Sequence, residues 1–167
     1  MILYLSDEEV IEINRLNLQS SGEINDFSIR QYDDIRFIIE FAEHQNEFDM
    51  YEKALAYCIS LIVLHPFADG NHRTSLHAAE LFLIKNGYLP LMPDKESSTV
   101  ASDKNRLLLQ KWRLEFEEEH ELERYFFSIA TNDIKALRIE GIINVMNSEY
   151  GIGIKKWLVE NYLKNPI

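Results

Sequence analysis

The chain has 167 residues, 46% of them hydrophobic and 27% charged; that is enough apolar material for one self-supporting domain and excludes wholesale disorder. Its formal net charge of −11 excludes broad electrostatic adhesion to nucleic acid or to an anionic membrane, so any anion has to be held by a local device. The only cysteine, Cys58, excludes an internal disulfide and fits a reducing, cytoplasmic setting.

Taken in chain order, the predicted elements are almost all helical. Ser6-Asp-Glu-Glu9 is a capping box that opens a helix running to about Leu18, with Leu5 and Val10 as its hydrophobic staple. The run before it, Met1 to Leu5, lacks the basic flank of a secretory signal. Residues 22 to 31 are polar and read as a loop or short hairpin. Ile35, Ile38, Ile39 and Ala42 recur at helical spacing and predict a second helix. Asp49 and Glu52 form another capping box, opening a third helix whose stretch from Ala54 to Leu64 is apolar nearly all round. That stretch is too short to span a bilayer. A fourth helix, apolar from Leu76 to Ile84, ends at Asn86-Gly87, a good C-cap. Two such helices joined by a short link predict a central antiparallel hairpin.

Beyond Tyr88 the pattern changes. Leu89-Pro-Leu-Met-Pro93 predicts an extended or turn-like segment, and Lys95 to Ser102 a loop. Leu108, Leu109, Trp112 and Phe116 then mark a helix, with Glu117 to Glu121 as its solvated face. Another follows through Leu122, Tyr125, Phe126 and Ile129, and further helix through Ile142, Val145 and Trp157, broken at Gly151-Ile-Gly153. With no internal repeat and no sustained strand alternation, the expected class is all-α.

The segment that departs from its surroundings is His65-Pro-Phe-Ala-Asp-Gly-Asn-His-Arg-Thr74, between the two most apolar helices. Placing imidazole, carboxylate, amide and guanidinium groups next to a core costs a few kcal/mol for each one left without a partner, so rule-breaking of this kind marks a site. Pro66 disfavours helix at His65, which leaves that imidazole at the end of the third helix. Gly70-Asn71 can turn the chain left-handed into the next helix, whose first N–H groups and positive dipole end form an anion cradle. Arg73 in that first turn opposes the dipole unless an anion joins it. Asp69 is a hard-oxygen ligand suited to Mg²⁺ beside phosphates. Together these groups point to phosphoryl or nucleotidyl transfer.

The same ten residues resemble the signature of the Fic/Doc (Fido) family, His-Pro-Phe-x-(Asp/Glu)-Gly-Asn-(Gly/Lys)-Arg. The resemblance extends to Leu5–Arg15, Asp49–Ala56 and Leu81–Gly87, which look like helices of the death-on-curing (Doc) branch. It implies a single domain over residues 1–167: a Fido-type helical bundle with a core of about 1–90 plus 125–145, an insertion at 95–124 and a C-terminal helix at 146–167. The polar stretch Glu23 to Ile29 falls where the family carries a β-hairpin flap that aligns a target segment by strand addition.

The resemblance also implies roles. His65 would be the catalytic base toward a target hydroxyl, Asp69 the Mg²⁺ ligand, and Gly70, Asn71 and His72 the anion hole. Arg73 would hold a nucleotide phosphate, while Pro66 and Phe67 support the loop. ATP or another nucleoside triphosphate would be co-substrate. The partner would be a protein presenting a Ser, Thr or Tyr hydroxyl, with the chain acting as the toxin of a toxin–antitoxin pair. Three departures bear on this. Leu76 stands where AMP-transferring members carry a second arginine, which favours phosphoryl over AMP transfer. His72 replaces the usual lysine. Ala136 stands at the hydroxyl position of the self-inhibiting pattern before Glu140-Gly141, so an inhibitor would be a separate antitoxin chain. Two other readings of these residues stay open: a Fido-fold binding module without activity, and a transition-metal hydrolase using His65, Asp69 and His72.

Overall fold

In the computed structural model, described here over residues 1–20, 26–91, 111 and 134–166, the element that organises the rest is the most apolar helix. The described residues form α1 (Asp7–Ser20), α2 (Tyr32–His44), α3 (Met50–Leu64), α4 (Asn71–Lys85), β1 (Tyr88–Pro90), α5 (Ile134–Met146), α6 (Glu149–Asn161) and β2 (Tyr162–Lys164). Every residue of α3 from Lys53 to Leu64 is buried, and α2, α4, α5 and α6 all pack on it. A helix apolar on every side can only be satisfied at the centre of such a bundle. The class is all-α, and α3 and α4 form its central hairpin. Among the described residues, no helix is long and apolar enough to cross a membrane.

The caps set the helix starts. Ser6 and Glu9 exchange side-chain-to-backbone hydrogen bonds at 2.9 and 3.2 Å, and Asp49 and Glu52 do the same at 2.8 Å each way. One buried residue in α3 is charged. Lys53 is 2% exposed, and its ammonium donates to the carbonyls of Ala42 and Gln45, both at 2.9 Å. It therefore closes the C-terminal end of α2, where the unpaired carbonyls and the negative dipole end welcome a cation.

Three features differ from the sequence reading. Residues 146–167 are not one helix: α6 gives way to β2, which pairs antiparallel with β1 in the register Tyr88↔Lys164, Leu89↔Leu163, Pro90↔Tyr162. Gly151 and Gly153 do not break the chain but lie inside α6. A β-carbon on Gly151 would meet the Met146 and Val145 carbonyl oxygens at 2.3 and 2.4 Å, so the missing side chain lets α6 start hard against the end of α5. The polar stretch expected as a flap forms no hairpin among its described residues; Ile29 instead makes one antiparallel bridge to Phe67. The expected loop at 95–102 and the expected helices around Leu108–Phe116 and Leu122–Ile129 lie outside the described residues, Lys111 apart.

Strand β2 is held to the core by tyrosines. The Tyr51 hydroxyl donates to the Tyr162 carbonyl at 2.6 Å, and the Tyr162 hydroxyl donates to the Glu80 carboxylate on α4. Burial pushes the Glu80 carboxyl up to about 7. A carboxyl whose folded-state pKa exceeds its unfolded value of about 4.5 stabilises the fold below that lower value and loses the contribution as pH rises through the upper one. Glu80→Gln should therefore flatten the fall in stability between about pH 4.5 and pH 7, a difference of up to about 3 kcal/mol, readable from urea unfolding midpoints across that range.

Candidate active site

The loop joining α3 to α4 has six residues, 65 to 70, and almost every polar group of its backbone has a partner. His65 ends α3 in the left-handed region (φ 52°, ψ 54°), its N–H still bonded to the Leu61 carbonyl at 3.1 Å. A residue with a β-carbon adopts that conformation at a cost of about 1 kcal/mol or more. Gly70 turns the chain back (φ 77°) into α4. The positive φ favours glycine here, and a β-carbon would also sit tight against Leu18 Cδ2 at 3.0 Å and Asn14 Nδ2 at 3.1 Å.

Asn71, 2% exposed, faces inward. Its Oδ1 accepts from the Phe67 N–H at 3.0 Å and its Nδ2 donates to the Phe67 carbonyl at 2.9 Å. Whatever Asn71 offers an anion comes from its backbone. Phe67 itself is 1% exposed and anchors the loop in the core, and Pro66 is buried beside it. From α1, Asn14 reaches over and donates to the Asp69 carbonyl at 2.8 Å and to Thr74 Oγ1 at 3.1 Å. On the remaining side runs the segment around Ile29. Arg30 donates to the Pro66 carbonyl at 2.8 Å, and Ala68 donates to the Ser28 carbonyl at 3.0 Å. Between α1, this segment and Phe67 lies a cavity of about 310 Å³, lined by Ile11, Asn14, Phe27 and Ile29 among others.

Three edges thus hold the loop. Asp69 is exposed, with one carboxylate oxygen accepting from the Gly70 N–H at 2.7 Å. The other oxygen of that oriented, hard carboxylate fits a divalent cation. The N–H groups of Asn71, His72 and Arg73 are the first three of α4 and have no carbonyl within the helix to bond to, whereas the Thr74 N–H already closes the first turn on the Gly70 carbonyl at 2.9 Å. Half-buried Arg73 extends Nη1 to within 3.4 Å of the Asn17 carbonyl, near the end of α1. His65 and His72, both half-buried, bring their rings to 6.2 Å between centroids with planes at 73°, edge to face. The His65 imidazole is therefore beside the first turn of α4. Among the described residues no three His, Cys, Asp or Glu side chains converge as a metal cage, so the spacing of His65, Asp69 and His72 does not build a transition-metal site.

A protein-family model described as the Fic/DOC family matches residues 4–83, the span that contains α1 to α4 without its last two residues, the loop and the Ile29 segment. Residues 4–83 belong to the Fic/DOC family. No curated protein matches the chain. Sequence reasoning about the motif did not find Asn14, which lies 55 residues from its partner at Asp69. The available signal was a pair of asparagines, Asn14 and Asn17, at otherwise apolar positions of α1 alongside Val10 and Leu18. Nor is Cys58 a nucleophile: burial pushes its thiol up to about 12.

Replacing Asn71 by alanine leaves the Phe67 N–H and carbonyl buried without partners. Each such group costs about 1–3 kcal/mol, so Asn71→Ala should lower the unfolding free energy by about 2–6 kcal/mol, measured by urea denaturation. A midpoint unchanged from the parent would show that the loop does not depend on this clamp.

Proposed function

We propose that the protein is a Fido-type transferase that moves a phosphoryl group from a nucleoside triphosphate to a Ser, Thr or Tyr hydroxyl of a target protein. The observation that carries this is the position of the His65 ring against the first turn of α4. There a base and an anion-binding helix start lie within one loop. His65 takes the proton of the acceptor hydroxyl. The acceptor oxygen forms a bond to the γ-phosphorus, the bond from that phosphorus to the bridging oxygen breaks, and the nucleoside diphosphate leaves. The N–H groups of Gly70, Asn71 and His72 and the Arg73 guanidinium hold phosphate oxygens as charge shifts to the leaving group. Gly70 can take part only when its N–H is released by Asp69. Asp69 would hold Mg²⁺, which supplies neutralisation of the polyphosphate charge when bound.

Phosphoryl rather than AMP transfer is favoured by Leu76. This residue, where AMP-transferring members of the family carry a second phosphate-binding arginine, is 1% exposed in the hydrophobic core and offers a phosphate nothing. In this respect the chain sides with the Doc branch. The segment around Ile29 is where a target strand would be added beside the loop. Because the self-inhibiting pattern is broken at Ala136, restraint of the activity falls to a separate antitoxin chain.

Incubation of the protein with cell lysate and ATP labelled at either the α or the γ phosphorus tests the reading. Label arriving on protein from the γ position alone, and lost with His65→Ala by at least 100-fold, is the expected result; the loss corresponds to the removal of a general base. Label from the α position would mean nucleotidyl transfer. No transfer from any triphosphate, with His65→Ala indistinguishable from the parent, would leave a Fido-fold binding module.

A further inference from the structure

We propose that the cavity between α1 and the Ile29 segment is a side-chain pocket for the target: an apolar residue of the added strand, the one opposite Ile29, enters it. The inference rests on the transfer reaction proposed above, with a target strand docked beside the loop. What it adds is the register of that strand and the chemistry of one of its side chains.

The register follows from the bridge between Ile29 and Phe67. Its two hydrogen bonds run from the Arg30 N–H to the Pro66 carbonyl and from the Ala68 N–H to the Ser28 carbonyl, so they flank the pair and do not join its members. In an antiparallel pair of that kind, the N–H and carbonyl of each paired residue point away from the other strand. Phe67 shows what this demands. Its outward N–H and carbonyl are both taken by the Asn71 amide, at 3.0 and 2.9 Å, which bonds to them as a neighbouring strand would. Ile29 carries the same two groups on the opposite edge, and neither has a partner among the described residues. A strand fits them, one of its residues bonding both ways to Ile29.

The cavity decides what that residue carries. Directly paired residues put their side chains on the same face. Ile29 and Phe67 both line the cavity, as does Phe27, two residues before Ile29. The residue opposite Ile29 therefore projects on the cavity side, while its two neighbours project on the other. The apolar walls it meets are Ile11, Phe27, Ile29 and Phe67, and the cavity of about 310 Å³ has room for a large side chain. The polar groups of α1 there are mostly engaged already. The Asn14 amide donates to the Asp69 carbonyl and to Thr74 Oγ1, and the Arg15 guanidinium is paired with Glu12. A charged side chain would lose its water for little return, whereas Leu, Ile, Met or Phe gains by burial.

An array of nine-residue peptides, each with a central Ser, Thr or Tyr and varied flanks, tests this with two readouts. One is binding of the fluorescently labelled full chain without nucleotide; the other is label taken up from ATP labelled at the γ phosphorus. Bound peptides should share one position, at a fixed spacing from the hydroxyl residue, where Leu, Ile, Met or Phe is preferred over Ala by about ten- to hundredfold. Labelled peptides should show the same preference. N-methylation of that residue removes the N–H that meets the Ile29 carbonyl and should weaken binding by about tenfold. Ile11→Trp, which fills the cavity, and Phe27→Ala, which removes a wall that is 51% exposed, should each level the preference. Both should leave phosphate release from ATP to water unchanged, with urea midpoints confirming that they fold. Peptides that do not bind, or that bind with no apolar preference, would overturn the proposal, as would a preference that survives both folded variants. Binding that follows the apolar residue and the variants in this way, with no label or phosphate released from ATP, would sink the transfer reaction and leave the pocket supported.

Discussion

The constraint on which the structure depends is the burial of backbone polar groups in a six-residue turn between two helices that both belong to the core. Where such a connector enters the core, at Pro66 and Phe67, water cannot satisfy it, and each unpaired buried N–H or carbonyl costs more than a hydrogen bond returns elsewhere. Two asparagines resolve it. Asn71 closes the loop from within by bonding both ways to Phe67, and Asn14 closes it from α1 through the Asp69 carbonyl. The side-chain amide is suited to this work because it offers donor and acceptor on one rigid plane. Once the loop is closed in this way, the backbone that carries His65 and the first turn of α4 have fixed relative positions, which is what electrostatic pre-organisation requires.

Much of the architecture was legible because the signals were local. The capping boxes at Ser6 and Asp49 and the apolar character of α3 and α4 act within a few residues, and they located these helices and their hairpin. The place of the loop was also legible, as a polar interruption between two core segments. What was not legible depends on partners distant in sequence. Asn14 reads as a helix-surface residue until α4 is packed against α1. Asn71 reads as an anion ligand until Phe67 is seen within its reach. Gly151 reads as a helix breaker because glycine weakens helices on average, whereas its role is the close approach of α6 to the end of α5. The pairing of β1 with β2 joins segments about seventy residues apart through three residues each, too short for any alternation to show.

The buried cation has a comparable place at the other end of α3. Lys53 is tolerated in the core because its ammonium donates to two carbonyls at the C-terminal end of α2 and lies 5.2 Å from the centre of the Tyr4 ring. It ties the second helix and the N-terminal segment to the centre of the bundle, on which the loop in turn depends.

The two outer segments of the chain end up side by side. Leu3 is bonded through both its N–H and its carbonyl to the Asn86 side chain, and the Asn165 N–H bonds to the Gly87 carbonyl. Both meet the C-terminal end of α4, whose fifteen residues put about 20 Å of helix between them and the loop. A chain whose ends lie this close can be rejoined by a short linker and reopened at another surface turn. A circularly permuted form would keep the central hairpin, and the loop at its tip, in one unbroken stretch.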